Sequence, residues 1–92
     1  MNQAGWFVYI LKCADGSLYT GIAKDLAKRL ERHLEGKASR YTRARLPVIL
    51  VYQEPQPDRS AASIREAAIK KLPKAEKEAL VNQLRPNPYI YS

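Results

Sequence analysis

The stretch LYTGIAKDLAKRLERH, positions 18 to 33, sets a tyrosine, an arginine and a histidine where they could together bind an anion and move a proton. Tyr19 brings a phenol, Arg29 a planar guanidinium that suits phosphate or carboxylate, and His33 an imidazole that titrates near neutral pH. Gly21 stands two residues after Tyr19. Arg29 and His33 are four residues apart, so on a helix they are neighbours on one face. At 100° per residue, Leu26, Leu30 and Leu34 form the expected buried stripe, and Arg29 and His33 lie on one shoulder of it. A shoulder position lets packing hold a side chain while its polar end reaches a groove. Spacing alone allows the plainer reading equally: an arginine whose stem covers the core edge and a half-buried packing histidine.

The charge distribution narrows the chemistry. Sixteen basic against nine acidic residues give +7 in 92 residues, and Lys24 to Arg45 holds eight of the basic residues against three acids. A net +5 in 22 residues is the electrostatic footprint of a polyanion-binding surface. This segment has no second face of large exposed apolar residues, which argues against a membrane surface as the target. The single cysteine, Cys13, excludes an intramolecular disulfide and a cysteine-based zinc site. The opening MNQAGWFVYILKCADG has an apolar run too short to span a bilayer and lacks a signal-peptide pattern, so a cytoplasmic protein is expected.

The positioning elements follow from local pattern. WFVYILKC, residues 6 to 13, is a β-branched and aromatic run of the kind covered on both faces of a sheet. ADGS is a turn signal and LYTGIA reads as the returning strand. Asp25 is placed to cap a helix running to about Glu35, with Gly36 as its stop. The basic segment KASRYTRARLP reads as a loop, and VILVYQE after Pro47 as a third strand. Asp58 or Ser60 caps a second helix, AASIREAAIKKL, and Pro73 opens a third, KAEKEALVNQL. The order β-β-α-β-α-α implies an α+β fold, a small three-stranded antiparallel sheet flanked by helices. One domain is expected over residues 1–92, with a core of about 5–84 and an irregular tail, 85–92. Tyr89 and Tyr91 in that tail read as packing or unstructured residues before base-stacking ones.

Hairpin register decides whether Tyr9 and Tyr19 can work together. A two-residue Asp15-Gly16 turn pairs Ala14 with Ser17 and puts the two phenols on opposite sheet faces. A three-residue Ala14-Asp15-Gly16 loop, with Gly16 left-handed in a type I turn plus G1 bulge, pairs Cys13 with Ser17. Tyr19 then lies opposite Leu11 and Gly21 opposite Tyr9. Both phenols share one face about 7–8 Å apart, with no side chain on Gly21 to crowd Tyr9. The second register is the expected one.

These residues also carry a resemblance. FVY at 7 to 9 and YTG at 19 to 21 stand where the signature triplets of the GIY-YIG nuclease domain belong, and the similarity continues through KDLAKRLERH, ASRYTRARLPVILVYQE and REAAIKKLPKAEKEALV. The chain resembles the small standalone bacterial members of that family most closely. Only the tyrosine of the first triplet, and the tyrosine and glycine of the second, are retained. Position by position, the resemblance makes Tyr9 the general base or water-positioning group and Tyr19 the second active-site tyrosine. Arg29 becomes the phosphate-stabilising arginine, His33 the helix residue beside it and Glu66 the metal-binding glutamate. Lys70 matches a lysine four residues on, and Asn82 is a loose counterpart of an asparagine near the end of the domain. By pattern alone Glu66 reads differently. It projects roughly 160° from a stripe of Ile64, Ala68 and Leu72, as a solvated carboxylate or the end of a Ser63-x-x-Glu66 capping box, although Ala62 and Ile69 share its side of the helix and open the alternative that this side faces protein.

The implied function is a metal-dependent endonuclease that hydrolyses phosphodiester bonds in DNA in preference to RNA, selecting its target by DNA structure. The catalytic residues would be Tyr9, Tyr19, Arg29, His33 and Glu66, with Gly21 structural at the site. Lys24, Lys28, Arg40, Arg43, Arg45 and Lys70 would contact nucleic acid. A single carboxylate suits Mg²⁺, with Mn²⁺ as a substitute, because Mg²⁺ keeps waters and binds through few protein oxygens plus phosphate. A phenol that titrates near 10 is a poor base at neutral pH, so neighbouring cations or the metal must either lower the Tyr9 pKa, the direction the surrounding positive charge favours, or relay its proton. The rival reading keeps the fold and basic surface in a nucleic-acid-binding module that cuts little or only with a protein partner supplying specificity.

Overall fold

The apolar run at the start of the chain becomes the central strand of a three-stranded antiparallel sheet. The computed structural model describes residues 5–84; the tail reading falls outside them. Strand β1 (Trp6–Lys12) lies between β2 (Leu18–Ala23) and β3 (Ile49–Gln56). Helices α1 (Leu26–Leu34), α2 (Arg40–Arg43), α3 (Arg59–Lys70) and α4 (Lys74–Leu84) complete the fold. This is the α+β architecture expected, with one addition: part of the basic segment read as a loop is the short helix α2.

Alternation along β1 splits the core in two. Val8 and Ile10 pack with Tyr52, Ala62, Ile69 and Val81 on the face covered by α3 and α4. Tyr9, Leu11 and Cys13 pack on the opposite face with Val48, Leu26 and Leu30. A register shift in the β1–β3 pairing between Ile10 and Leu11 sets Ile10 against Tyr52 but Leu11 against Leu50. That bulge lets β3 feed both cores.

The hairpin takes the three-residue loop. Cys13 donates its backbone N–H to Ser17 at 2.8 Å, and Gly16 has φ of +86°. The Asp15 carboxylate accepts from the backbone N–H of Ser17 at 3.0 Å and from its hydroxyl at 2.6 Å, which braces the turn. Tyr9 pairs with Gly21 and Leu11 with Tyr19, so both phenols rise from one face.

Helix ends also follow the sequence. The side chains of Asp25, Ser39 and Asp58 cap α1, α2 and α3 by accepting the N–H groups of Lys28, Thr42 and Ala61. Gly36, at φ +77°, ends α1. The buried faces follow it only in part, Leu26 and Leu30 of the α1 stripe packing against the core. On α1 the buried residue is His33, whereas Leu34, expected in the stripe, is 50% exposed. On α3 the expected stripe is turned outward: Ile64 is 71% exposed, while Ala62 and Ile69 are fully buried. An ion pair from Arg65 to Glu54 at 2.8 Å ties this inward face to β3. Burial alone would raise the Glu54 carboxyl, but hydrogen bonds from Tyr52, Arg65 and Gln56 hold it below the ordinary carboxylate range. Small and charged residues thus face the sheet on α3, and Glu66, next to Arg65, is half-buried.

Candidate active site

Tyr9 projects from β1 across the backbone of Gly21. A Cβ at Gly21 would lie 2.6 Å from the Tyr9 hydroxyl oxygen, 2.7 Å from its ring Cζ and 3.2 Å from Cε2 of Tyr19. The glycine is therefore required by close approach, not by an unusual backbone angle. Beyond it the Tyr9 hydroxyl meets His33 Nε2 at 2.8 Å, in a buried contact. The Tyr19 ring sits edge-on to the same imidazole, with centroids 5.3 Å apart.

Burial controls both titrating groups. Desolvation, reinforced by the neighbouring Tyr19, pushes the Tyr9 phenol up to about 12; Arg29 pulls it down as a charge and hydrogen-bond donor, and the Glu66 charge adds to the rise. The expectation that basic surroundings would lower this pKa is therefore corrected. A phenol 1% exposed loses more from giving up water than it gains from one guanidinium. His33, also 1% exposed, has its pKa lowered by burial and by the positive charge of Arg29. At neutral pH the pair is an intact phenol against a neutral imidazole.

The short helix α2 supplies two contacts that sequence reasoning missed. Thr42, fully buried, sets its Oγ1 2.9 Å from His33 Nδ1 and 2.9 Å from Ser39 Oγ. One residue earlier, Tyr41 stacks on Tyr19 with centroids 6.0 Å apart. Arg45 lies 3.7 Å over the Tyr41 ring, donates to the Tyr41 carbonyl at 3.0 Å and pairs with Asp15 at 3.0 Å. Its guanidinium thereby braces α2 against the hairpin. Four residues have no helical periodicity to detect; the one sequence sign was Ser39 at a capping spacing from Thr42.

Glu66 reaches the site from the other helical layer, close enough for its charge to act on Tyr9. It pairs with Lys70 at 3.3 Å across one turn of α3. A groove of about 220 Å³ runs here, lined by Leu18, Tyr19 and Thr20 of β2, Tyr41 of α2, Lys70 of α3 and Lys77 of α4. Among the described residues no three His, Cys, Asp or Glu side chains converge on one point. That donor set does not build a protein-enclosed metal cage. It does fit Mg²⁺ held by one carboxylate, with water and substrate phosphate supplying the other ligands.

The structure thus gathers Tyr9, Tyr19, Gly21, Arg29, His33, Glu66 and Lys70 around one edge of the sheet. Asn82 is exposed on α4 and lines an adjoining groove with Lys12, Leu18, Val51 and Glu78, which meets the first groove at Leu18. Lys24, Lys28, Arg40 and Arg43 are exposed and make no ion pair within 4 Å among the described residues. No helix among those residues is long and apolar enough to cross a membrane.

This arrangement can be set beside known proteins. The family model of the GIY-YIG catalytic domain matches residues 5–79. The chain belongs to the GIY-YIG family. Within it, the chain is 53% identical over 81 residues to a UPF0213 protein of Desulfotalea psychrophila, covering 87% of this chain and 74% of that one. A UPF0213 protein of Streptococcus sanguinis is 47% identical over 81 residues, covering 88% and 93%. Two solution NMR structures share the fold. A UPF0213 protein of Bacillus halodurans has 42% identity, a TM-score of 0.57 and coverage of 91% and 88%. A protein of E. faecalis has 36% identity, a TM-score of 0.61 and coverage of 94% of each chain. The matched residues 5–79 include Tyr9, Tyr19 and Gly21, which pack together as described above.

Proposed function

We propose that the protein is a metal-dependent endonuclease hydrolysing phosphodiester bonds in DNA. The observation that carries the reading is the Tyr9 phenol, hydrogen-bonded at 2.8 Å to buried, neutral His33, beside Arg29 and within the field of Glu66. Such a set serves phosphodiester hydrolysis, which needs an activated water and neutralisation of charge developing on the phosphate.

The elevated pKa decides the role of Tyr9. A phenol near 12 is almost wholly protonated at pH 7, so it does not act as a standing phenolate. It acts as a relay: a water proton passes to the Tyr9 oxygen as the Tyr9 proton passes to His33 Nε2. The hydroxide attacks phosphorus in line and the opposite P–O bond breaks, its oxygen taking up a proton from water in the groove while His33 returns its proton through Tyr9 to solvent. The lowered pKa of His33 leaves it neutral and able to accept. Arg29 donates its planar fork to the non-bridging oxygens, and Tyr19 lines the phosphate end of the groove. Glu66 would hold Mg²⁺, which supplies charge neutralisation at the phosphate when bound. Lys70 and Lys77 give the groove a cationic wall, and Lys24, Lys28, Arg40 and Arg43 add exposed charge for backbone phosphates.

A second reading has its own support. The +7 charge serves a nucleic-acid-binding module without cleavage just as well, and Glu66 is paired with Lys70. Incubation with labelled flap, branched, nicked, single-stranded and duplex DNAs and matching RNAs, in Mg²⁺ or Mn²⁺ against EDTA, separates the two. The nuclease reading expects metal-dependent product that Glu66→Ala abolishes. Tight binding with no product on any substrate in either metal would establish the module.

A further inference from the structure

We propose that Thr42 is a positioning residue of the site: its hydroxyl accepts the Nδ1–H of His33 and so leaves Nε2 free to take the Tyr9 proton. A buried chain, Tyr9–His33–Thr42–Ser39, with links of 2.8, 2.9 and 2.9 Å, fixes where each proton lies. A neutral imidazole has one N–H, so one of its two bonds is donated and the other accepted. Among the described residues, the hydrogen-bond acceptor that the Tyr9 hydroxyl meets is His33 Nε2. Arg29 can only donate to that oxygen. The buried phenol therefore has a single outlet for its proton, and an O–H turned elsewhere would be a buried unpaired donor. Nε2 accepts, and Nδ1 carries the hydrogen.

The far end of the chain agrees. With Nδ1–H donating to it, Thr42 Oγ1 must send its own proton onward. Two oxygens of Ser39 wait there, the Oγ at 2.9 Å and the backbone carbonyl at 3.4 Å. Ser39 Oγ already accepts the Thr42 backbone N–H at 3.1 Å as the cap of α2, so it is held in place. The chain thus runs in one direction, from Tyr9 through His33 and Thr42 to Ser39. The other polar groups facing His33 are Arg29 from its own helix and Tyr19 from β2. No carboxylate hydrogen-bonds to the ring among the described residues. A hydroxyl in this place fixes the tautomer without adding the negative charge that would stabilise an imidazolium.

The chain has one histidine, so ¹⁵N NMR of the imidazole reads this residue alone. In the parent at pH 7 the spectrum should show Nδ1 protonated and Nε2 bare. Thr42→Ser, which keeps the hydroxyl, should give the same pattern. Thr42→Val keeps the shape and removes the acceptor, and should move the population toward the Nε2–H tautomer. A parent with Nε2 protonated, or a Thr42→Val spectrum unchanged from the parent, overturns the proposal. Should Thr42→Val not fold, the parent and Thr42→Ser spectra still decide it. The consequence for cleavage rests on the nuclease reading. There, Thr42→Val should lower the single-turnover rate on the order of 10–100-fold, as for other residues that orient a functional histidine. DNA affinity should hold within twofold, and Thr42→Ser should recover the rate. A cutting parent whose Thr42→Val variant cuts equally fast also overturns it. A parent that cuts nothing defeats the nuclease reading, and the tautomer assignment then stands or falls by the spectra.

Discussion

Replacing Gly21 with alanine puts one methyl carbon where the Tyr9 phenol now lies. The new Cβ would sit 2.6 Å from the hydroxyl oxygen and 2.7 Å from Cζ, against about 3.5–4.0 Å for comfortable carbon contacts. Gly21 has no positive φ, so the backbone tolerates alanine and the cost is purely steric. Tyr9 must retreat by about 1 Å. Its 2.8 Å bond to His33 then exceeds the hydrogen-bond range of about 3.2 Å. Overpacking costs about 1–3 kcal/mol and an unpaired buried polar group about as much again. A loss of at least about 2 kcal/mol lowers the Tm of a domain this size by roughly 8 °C or more. Under the nuclease reading the same displacement costs on the order of 10²-fold in rate. Thermal melts by circular dichroism and single-turnover cleavage measure the two effects. A Gly21→Ala protein that melts within about 2 °C of the parent refutes the claim that Tyr9 occupies this space.

Other expectations follow from the same geometry. The lowered His33 pKa means the unfolded chain binds this proton more readily, so stability is full above about pH 6.5. It falls as pH drops from there through the folded-state pKa. Urea midpoints between pH 7.5 and 5 should show that decline in the parent and not in His33→Gln. Glu66→Gln removes a charge with little change of shape; folding and DNA affinity should survive while single-turnover cleavage falls by several orders of magnitude. Equal cutting by both proteins would make Glu66 only the partner of Lys70. Affinity for DNA should fall steeply with salt, and neutralising Lys24, Lys28, Arg40 or Arg43 should flatten the log–log slope by about one unit each. Salt-insensitive binding, measured by fluorescence anisotropy, would contradict a phosphate-contacting surface.

The parts of the fold legible in the sequence were those set by local chemistry. Asp15-Gly16 implied the left-handed turn, the turn implied the register, and the register brought Tyr9 and Tyr19 to one face. Asp25, Gly36 and Asp58 marked helix ends by groups that satisfy free backbone atoms. What failed was part of the assignment of buried faces, since Leu26 and Leu30 pack inward as expected and Leu34 and the α3 stripe do not. Helix α3 shows Ile64 to solvent and buries Ala62 and Ile69, because close approach to the sheet favours a small residue and Arg65 is drawn in by Glu54. A hydropathy stripe cannot register either effect. His33 lies at the centre of the buried face of α1, where both ring nitrogens find partners, so a polar residue replaces the leucine that the wheel favoured. The direction of the Tyr9 shift was misjudged for a related reason. Positive charge is countable in a sequence, whereas the depth at which a phenol is buried emerges only from the packing of β1, β2 and α1.

The proposed relay depends most on the Tyr9 hydroxyl, and Tyr9→Phe removes that one oxygen while keeping the ring that fills the core. The decisive measurement is single-turnover cleavage of structured DNA in Mg²⁺, paired with DNA affinity, for the parent and Tyr9→Phe. The relay predicts affinity within a few-fold of the parent and a cleavage rate lower by at least about 10²-fold, the usual scale for losing a proton-transfer group. Cleavage by Tyr9→Phe at the parent's rate would contradict it.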